Sequence, residues 1–525
     1  LTKYTIWRHV VREQAILLIS ALRLDLERNM IDRYCGTMDN GSITMLNPGD
    51  TVTMSVQTEV ADAVDVLVAG GGTAGCLAAL SAARNGAKVV LIERYGYLGG
   101  MVTAGNAGLT MYMKFSGRPA EHAADQEALQ KNPEEVQIAG GITKEMADRL
   151  IETGVGIGNW NQAGSYIFTS SEDFKRMLFD MMAEAGVKLR LHSWVADVIM
   201  DGDRIEGVVT ESKSGRQAIL AKQVIDATGD GDVAAFAGVP FQLGVTADDI
   251  TAKDGSAKIG EMHPMGVMFK AGNVDLTTTF DWLVKNPDHF AKQPFARFTL
   301  EEAKERFDRG DMATINILMD ETPRRFQVYN LPTEGVVTLC CPSYRGDGTN
   351  VEDLTRAEIT LASMVGRWLG NMRSVPGFEK AFMLDVPEIG VRETRHIEGD
   401  HILNIMDIYK QVEFPDSIGR GSHPIDTTPR PDWLKDPETS YPPRWYFHIP
   451  FSCLPAKGKT NLMVVGRCMS ATHEAFGCVR PTVQCMITGE AAGAAAALCT
   501  RDDIELRKLP FETLKAALLE QGVLL

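Results

Sequence analysis

Residues 64–94 read VDVLVAGGGTAGCLAALSAARNGAKVVLIER. Val64 to Ala69 is a short valine-rich apolar run, the pattern of a buried parallel strand. Gly70, Gly72 and Gly75 follow in G-x-G-x-x-G spacing. Cys76 to Asn85 is rich in alanine and leucine, which suits a helix, and Gly86 is placed to stop it. Lys88 to Ile92 forms a second apolar run with Glu93 at its end. Gly70 allows a tight turn, Gly72 lets a pyrophosphate approach the backbone, and Gly75 lets helix and sheet pack closely. The helix start at Thr73-Ala74 offers N–H groups and a positive dipole end to a phosphate. Glu93 is placed to accept hydrogen bonds from ribose hydroxyls, and it would repel a 2′-phosphate. A glycine-rich turn of some other α/β protein is the rival. A bare G-x-G-x-x-G would not decide between them; strand, helix and terminal acid together favour a dinucleotide.

The glycine-rich character continues through Tyr95-Gly-Tyr-Leu-Gly-Gly100. This E-R-x-x-x-x-G-G run, Glu93–Gly100, resembles the FAD-binding domain of the glutathione reductase structural class. The resemblance implies FAD rather than NAD. It also implies that Arg94, Gly99, Gly100 and Met101 border the cofactor's ribityl and phosphate groups.

The chain has 525 residues, enough for two or more lobes. A hydrophobic fraction of 44% with 23% charged residues is ordinary for a globular protein. The net charge of −16 argues against nucleic acid or anionic membranes as partners. No apolar run has the length of a membrane-spanning helix. The nine cysteines are scattered without a C-x-x-C pair. Iron–sulfur, structural zinc and disulfide scaffolds therefore lack support, and thiols in a reducing cytoplasm fit better. Cys340-Cys341 is expected in the core of a strand.

Four sections are expected along the chain: 1–60, 61–240, 241–445 and 446–525. In the first, Ile6 to Ile31 has helical apolar spacing and suggests a docking helix. A signal peptide is the rival, but Arg23, Asp25, Glu27 and Arg28 follow the apolar stretch without a small-residue cleavage site. Asp39 to Asp50 is turn-rich, and Thr51 to Val60 could add an outer strand. In the second, Thr143 to Glu152 suits a helix, and Ser170-Ser-Glu-Asp173 caps a helix reaching Ala185. A β-meander follows, with a hairpin at Asp201-Gly-Asp203, and then a strand into Thr228-Gly-Asp-Gly-Asp232. Asp226, Asp230 and Asp232 lack the spacing of a calcium loop, so no metal is expected.

Residues 241–445 lack dinucleotide signals and suggest an inserted α+β substrate lobe. Val267–Ala271, Gly335–Cys341, Ala381–Val386 and His401–Ile405 are expected as strands. Asn350–Arg373 is expected as a capped helix, and the proline-rich Pro415–Pro443 as a surface loop. Finally, Asn461–Val465 suits a strand ending at Gly466-Arg467. Pro481 opens a helix through Leu498, with Arg480 and Thr482 at its start.

Ile225-Asp-Ala-Thr-Gly-Asp-Gly-Asp232, Gly390-Val-Arg-Glu-Thr-Arg-His-Ile-Glu-Gly399 and Val465-Gly-Arg-Cys-Met-Ser-Ala-Thr-His473 extend the resemblance. Together with residues 64–105 they resemble the bacterial FAD-dependent oxidoreductase family, which is related to the fumarate reductase and succinate dehydrogenase flavoproteins. The resemblance implies an α/β fold with a discontinuous Rossmann-like FAD-binding domain. It implies that main-chain atoms at Val195 hold the adenine. It also implies that Thr228, Gly229 and Asp230 lie by the adenosine half. The last helix would aim its N-terminus at the flavin. The wider class places an acid after the glycine of the last strand; Arg467 stands there instead, so another group must contact the ribityl chain or Arg467 turns to phosphate. The absence of C-x-x-C and of a second G-x-G-x-x-G speaks against disulfide reduction and a built-in NAD(P)H domain.

His473, between the last strand and the last helix, is the first candidate for proton transfer. In Gly390–Gly399, an extended chain would put Arg392 and His396 on one face and Glu393 and Arg395 on the other. At least one of Arg392, Arg395 and His396 is expected at substrate. A salt-bridged strand end is the competing reading. His263-Pro264 resembles a His-Pro turn of fumarate reductase flavoproteins, in different surroundings. The sequence thus points to a hydride-transferring flavoenzyme for a small polar or carboxylated metabolite, with an unspecified electron acceptor. A flavin hydroxylase using NAD(P)H and O₂, a non-catalytic electron-transfer subunit and an NAD-binding protein remain open, as does a homodimer.

Overall fold

The computed structural model describes residues 49–111 apart from 53, then 137–158, 165–291, 299–319, 322–428 and 446–525, with 127 and 131. Glu59–Leu525 form one compact unit. The helix expected over Ile6–Ile31 lies outside the described residues. The outer strand expected over Thr51–Val60 is met only from Glu59 onward.

β1 (Glu59–Ala69) is central because its last four residues, Val66–Ala69, are all apolar and buried. It leads through the glycines into α1 (Thr73–Arg84), and β2 (Val89–Ile92) returns parallel to β1, with Val66 opposite Val89. α2 (Ser171–Glu184) is capped by Ser170 Oγ, which accepts from the Asp173 N–H. β3 (Lys188–Arg190) then adds to the free edge of β2. β4 (Trp194–Asp201), β5 (Arg204–Ser212) and β6 (Gly215–Asp226) form the expected antiparallel meander. β6 also pairs parallel to β1, so the chain returns to the nucleotide end of the sheet at Asp226.

A second sheet is antiparallel throughout. Its strands are β7 (Met265–Gly272), β8 (Thr314–Met319), β9 (Thr322–Asn330), β10 (Val337–Tyr344) and β11 (Phe382–Met383), in the order β8-β9-β10-β7-β11. α3 (Val351–Met372) covers it with Ala357, Leu361, Val365, Leu369 and Met372, one stripe at helical spacing. Asn350 Oδ1 caps this helix by accepting from the Glu352 and Asp353 N–H groups.

β12 (Leu462–Val464) returns to the first sheet, parallel to β6. It is followed by α4 (His473–Val479) and α5 (Thr482–Asp502). α5 lies against α1 at a separation only small residues permit. A Cβ at Gly489 would sit 2.0 Å from the Ala74 carbonyl oxygen, and one at Gly493 would sit 2.2 Å from that of Ala78.

Two expectations need correction. His401–Ile405 is not a strand; Asn404 caps a short helix, Ile405–Tyr409, at that point. Pro415–Pro443 is not a surface loop in its described part. Ser417–Gly421 pairs with Phe447–Pro450, and Ile418, Ser422 and Ile425 are fully buried. Proline and charge concentrate beyond residue 428, outside the described residues, and their weight misled the reading of the apolar part before it. Among the described residues, no helix is long and apolar enough to cross a membrane.

Candidate active site

A continuous cleft runs from the edge of β4 to the start of α5. Its first part is walled by Glu93, Arg94, Ser193, Trp194, Val195 and Thr228. Its middle, of about 970 Å³, is walled by Gly70, Gly72, Thr73, Ala74, Gly100, Met101, Gly229, Asp230 and Gly466, among others. The last part is a chamber of about 1410 Å³ between the second sheet and the start of α5. Glu93, Arg94 and Thr228 line both the first part and the middle. Met101, Arg467, Arg480 and Thr482 line both the middle and the chamber. Every cofactor position expected from the sequence is therefore on this cleft, except Gly75 and Gly99, which lie just behind its wall.

The glycines divide their work in a way the geometry makes explicit. Gly70 has φ +101°, and a Cβ there would sit 2.3 Å from the Ala227 carbonyl oxygen. A Cβ at Gly75 would sit 1.9 Å from the carbonyl oxygen of Gly70. These two close the turn. Gly72 is different: its φ of −67° suits any residue, and a Cβ there would meet only the Gly100 Cα at 4.0 Å. Its bare face looks into the cleft at the N-terminus of α1, where a pyrophosphate fits. Glu93 is buried, and burial raises its pKa. Its Oε2 accepts from the Gly71 N–H at 2.6 Å and its Oε1 from the Tyr95 N–H at 2.8 Å, leaving lone pairs for hydroxyl donors. Arg94 lies over the rings of Tyr95 and Trp194, 4.9 and 5.2 Å from their centroids.

An acid stands beside Arg467. Arg467 Nη2 donates to Asp230 Oδ1 at 2.6 Å, and both residues line the middle of the cleft. Asp226 takes N–H groups from Thr228 and Ala234, and Asp232 pairs with Arg395, so each of these three carboxylates has its own partner. The walls therefore fit an extended dinucleotide such as FAD.

The chamber carries charge of its own. Arg392 Nη1 donates to the Pro264 carbonyl at 2.6 Å, and its guanidinium occupies the space a side chain at Gly266 would need. Burial lowers its pKa. Arg480 pairs with Asp426 at 2.5 Å, while its buried Nε has no hydrogen-bond partner among the described residues. Burial disfavours the charged form of Asp426, but Arg480 outweighs it and holds the carboxyl well below its usual range. His423 Nδ1 lies 2.7 Å from the Pro424 carbonyl. A carbonyl only accepts, so Nδ1 carries the proton and Nε2 the lone pair. Burial pushes the His423 pKa down to about 4, so the ring is neutral at pH 7.

The expected catalytic residues separate. Arg392 is on the chamber wall. Arg395 is not; its Nη1 donates to the Asp230 carbonyl and to Asp232 Oδ1, both at 2.9 Å. His473 and His396 are buried behind the wall, where Nδ1 of His473 and Nε2 of His396 each lie 2.8 Å from Glu393 Oε1. The backbone N–H of His263 donates to Glu393 Oε2. Burial disfavours charge on His473, but Glu393 raises its pKa overall, while Glu393 itself is driven far down by the two histidines against its own burial. The alternating faces expected for 390–399 fail because only Arg395–Ile397 is strand, paired with Phe241–Leu243. Before it the chain is irregular, and Glu393 meets His396 rather than Arg395. The sequence reading missed His423 and Asp426. The apolar positions Ile418 and Ile425 on either side of Ser422-His423 were the available signal that this segment is buried.

The pattern of the FAD dependent oxidoreductase family matches residues 65–518. The chain is similar to thiamine thiazole synthase of Methanococcus vannielii, at 29% identity over 32% of this chain and 56% of that protein. It is also similar to digeranylgeranylglycerophospholipid reductase of Methanosarcina acetivorans, at 27% identity over 35% of this chain and 42% of that protein. The matched stretch spans about half the length of these curated relatives. Among solved structures, a geranylgeranyl bacteriochlorophyll reductase-like protein of Thermoplasma acidophilum aligns over 88% of this chain and 84% of its own, with 14% identity and a TM-score of 0.41. The chain belongs to the FAD dependent oxidoreductase family: it is an enzyme, and FAD is its cofactor.

Proposed function

We propose that this FAD-dependent oxidoreductase transfers a hydride to or from a small carboxylated metabolite held in the chamber at the start of α5. The observation that carries the reading is the chamber's pair of part-buried guanidiniums, Arg392 and Arg480, set among the described residues against the single carboxylate of Asp426. A buried cation without a full partner is costly, and a substrate carboxylate relieves that cost.

Bound FAD supplies the two-electron carrier. Gly70, Gly72 and the first N–H groups of α1 bind its pyrophosphate, and Glu93 its ribose. Asp230, oriented by Arg467, faces the ribityl chain. Arg392 and Arg480 orient the substrate carboxylate, and His423 Nε2 accepts the substrate's proton. Residues 241–445 act as the substrate lobe. The parallel β3-β2-β1-β6-β12 order with its meander supports membership of the glutathione reductase structural class. His473 and His396, with Glu393, are positioning residues that hold the segment carrying Arg392.

Anaerobic titration of the holoenzyme with organic acids, polyols and amines tests this reading. An acid is expected to bleach the flavin absorbance. Arg392→Gln should raise KM about tenfold or more with flavin content unchanged. Arg395→Gln, three residues on, should leave KM as it was. His423→Asn should lower kcat about a hundredfold. Bleaching by polyols or amines alone would overturn the reading.

A further inference from the structure

The charges and walls of the chamber say more about its ligand than that it is an anion. Among the described residues, three arginines and one acid line it: Arg392, Arg467, Arg480 and Asp426. Arg467 is compensated by Asp230 from the neighbouring part of the cleft. Asp426 compensates one of the other two arginines. Glu393, next to Arg392 in sequence, is turned away and held by His396, His473 and the His263 N–H. His423 and His263 are neutral, because burial lowers their pKa values to about 4 and about 3. Among the described residues one positive charge is therefore left over, at Arg392 and the unpartnered Nε of Arg480. Away from these groups much of the wall is apolar, made by Met101, Phe168, Val267, Met268 and Val391, with Gln327, Tyr329 and Thr482 as its uncharged polar side chains.

We infer that the chamber takes a monocarboxylate with an apolar body, rather than a di- or tricarboxylate or a fully polar acid. This rests on the reading of the chamber as the substrate site. One carboxylate neutralises the surplus charge. A second would be stripped of water against Phe168 and the methionines without a cation to receive it, a desolvation cost that no ion pair offsets. Each methylene laid on the apolar wall adds affinity in proportion to the area it buries.

Calorimetric titration of the holoenzyme at pH 7 tests this with straight-chain monocarboxylates of two to eight carbons and the dicarboxylates of the same lengths. Monocarboxylate affinity should rise about fourfold per added methylene, and each dicarboxylate should bind about tenfold or more weakly than its monocarboxylate partner. Asp426→Asn keeps the shape of the wall and leaves a second positive charge unmatched, so it should raise the dicarboxylate-to-monocarboxylate affinity ratio about tenfold or more. Protection of Cys340 from alkylation, mapped by mass spectrometry, reports binding at the chamber wall independently of heat. Dicarboxylates binding as tightly as monocarboxylates, affinity independent of chain length, or a ratio unmoved by Asp426→Asn would each overturn the inference while leaving an acid-binding oxidoreductase standing. Failure of every acid to bind flavin-loaded protein would overturn both.

Discussion

The two ends of the cleft are built on different principles. At the nucleotide end the work is done by backbone: a bare glycine face, free N–H groups at one helix start, and an acid at the end of the neighbouring strand. All of it comes from Gly70 to Glu93, a single βαβ unit. At the chamber end the work is done by side chains: Met101, Arg392, Asp426 and Arg480 come from four segments separated by tens to hundreds of residues. A backbone site can be written as a local spacing of small residues. A side-chain site exists only once distant segments have packed.

The sharpest way to break this contrast lies in the glycines themselves. Gly75→Ala would drive a methyl into the Gly70 carbonyl at 1.9 Å. The expected cost is about 4 kcal/mol or more, enough to lose the fold in a thermal melt. Gly72→Ala faces only empty cleft and should leave the melting temperature of the apoprotein unchanged, while FAD affinity falls about a hundredfold by equilibrium titration. If Gly72→Ala unfolds the protein, or Gly75→Ala melts normally, the division of labour drawn above is wrong.

The second test concerns the side-chain end. Glu393→Gln keeps the shape of the buried cluster but removes the charge shared by His396 and His473. A loss of about 3–5 kcal/mol in denaturant unfolding is expected, as for breaking a buried ion pair. Because the pKa of Glu393 is depressed in the fold, its contribution is present above the ordinary carboxylate range and lost as pH falls through the lower folded value. The variant's deficit should therefore shrink in acid; a deficit constant from neutral to acid pH would show that Glu393 acts by packing alone.

The smallest effect belongs to Glu490, on α5. Burial raises its pKa to about 7, and both oxygens accept from the Ile142 N–H at the start of the helix Gly141–Glu152. A raised carboxyl favours the folded state while protonated, so its contribution is complete below about pH 4.5 and declines as pH rises through about 7. Glu490→Gln should flatten the stability–pH curve between these values by about 1–3 kcal/mol. An unchanged slope would locate the titration elsewhere.

The nucleotide end was legible in the order of residues alone. The G-x-G-x-x-G spacing, the Ala-rich helix and Glu93 specify a βαβ unit because strand, turn and helix preferences are local, and they agree with one another there. The order of residues also determined the meander, the capped helix after Asn350 and the return at β12. It did not determine which of its arginines and histidines share a surface. Arg392 and Arg395 look alike in sequence, yet one lines the chamber and the other is fixed to Asp230 and Asp232. His473 stands next to the flavin-type helix in sequence and is nonetheless sealed behind the wall by Glu393, while His423 emerges from a segment whose composition suggested a loop. The physical reason is that a charge's role depends on what neutralises it. That partner is fixed by how distant segments pack together, not by the spacing of residues along the chain.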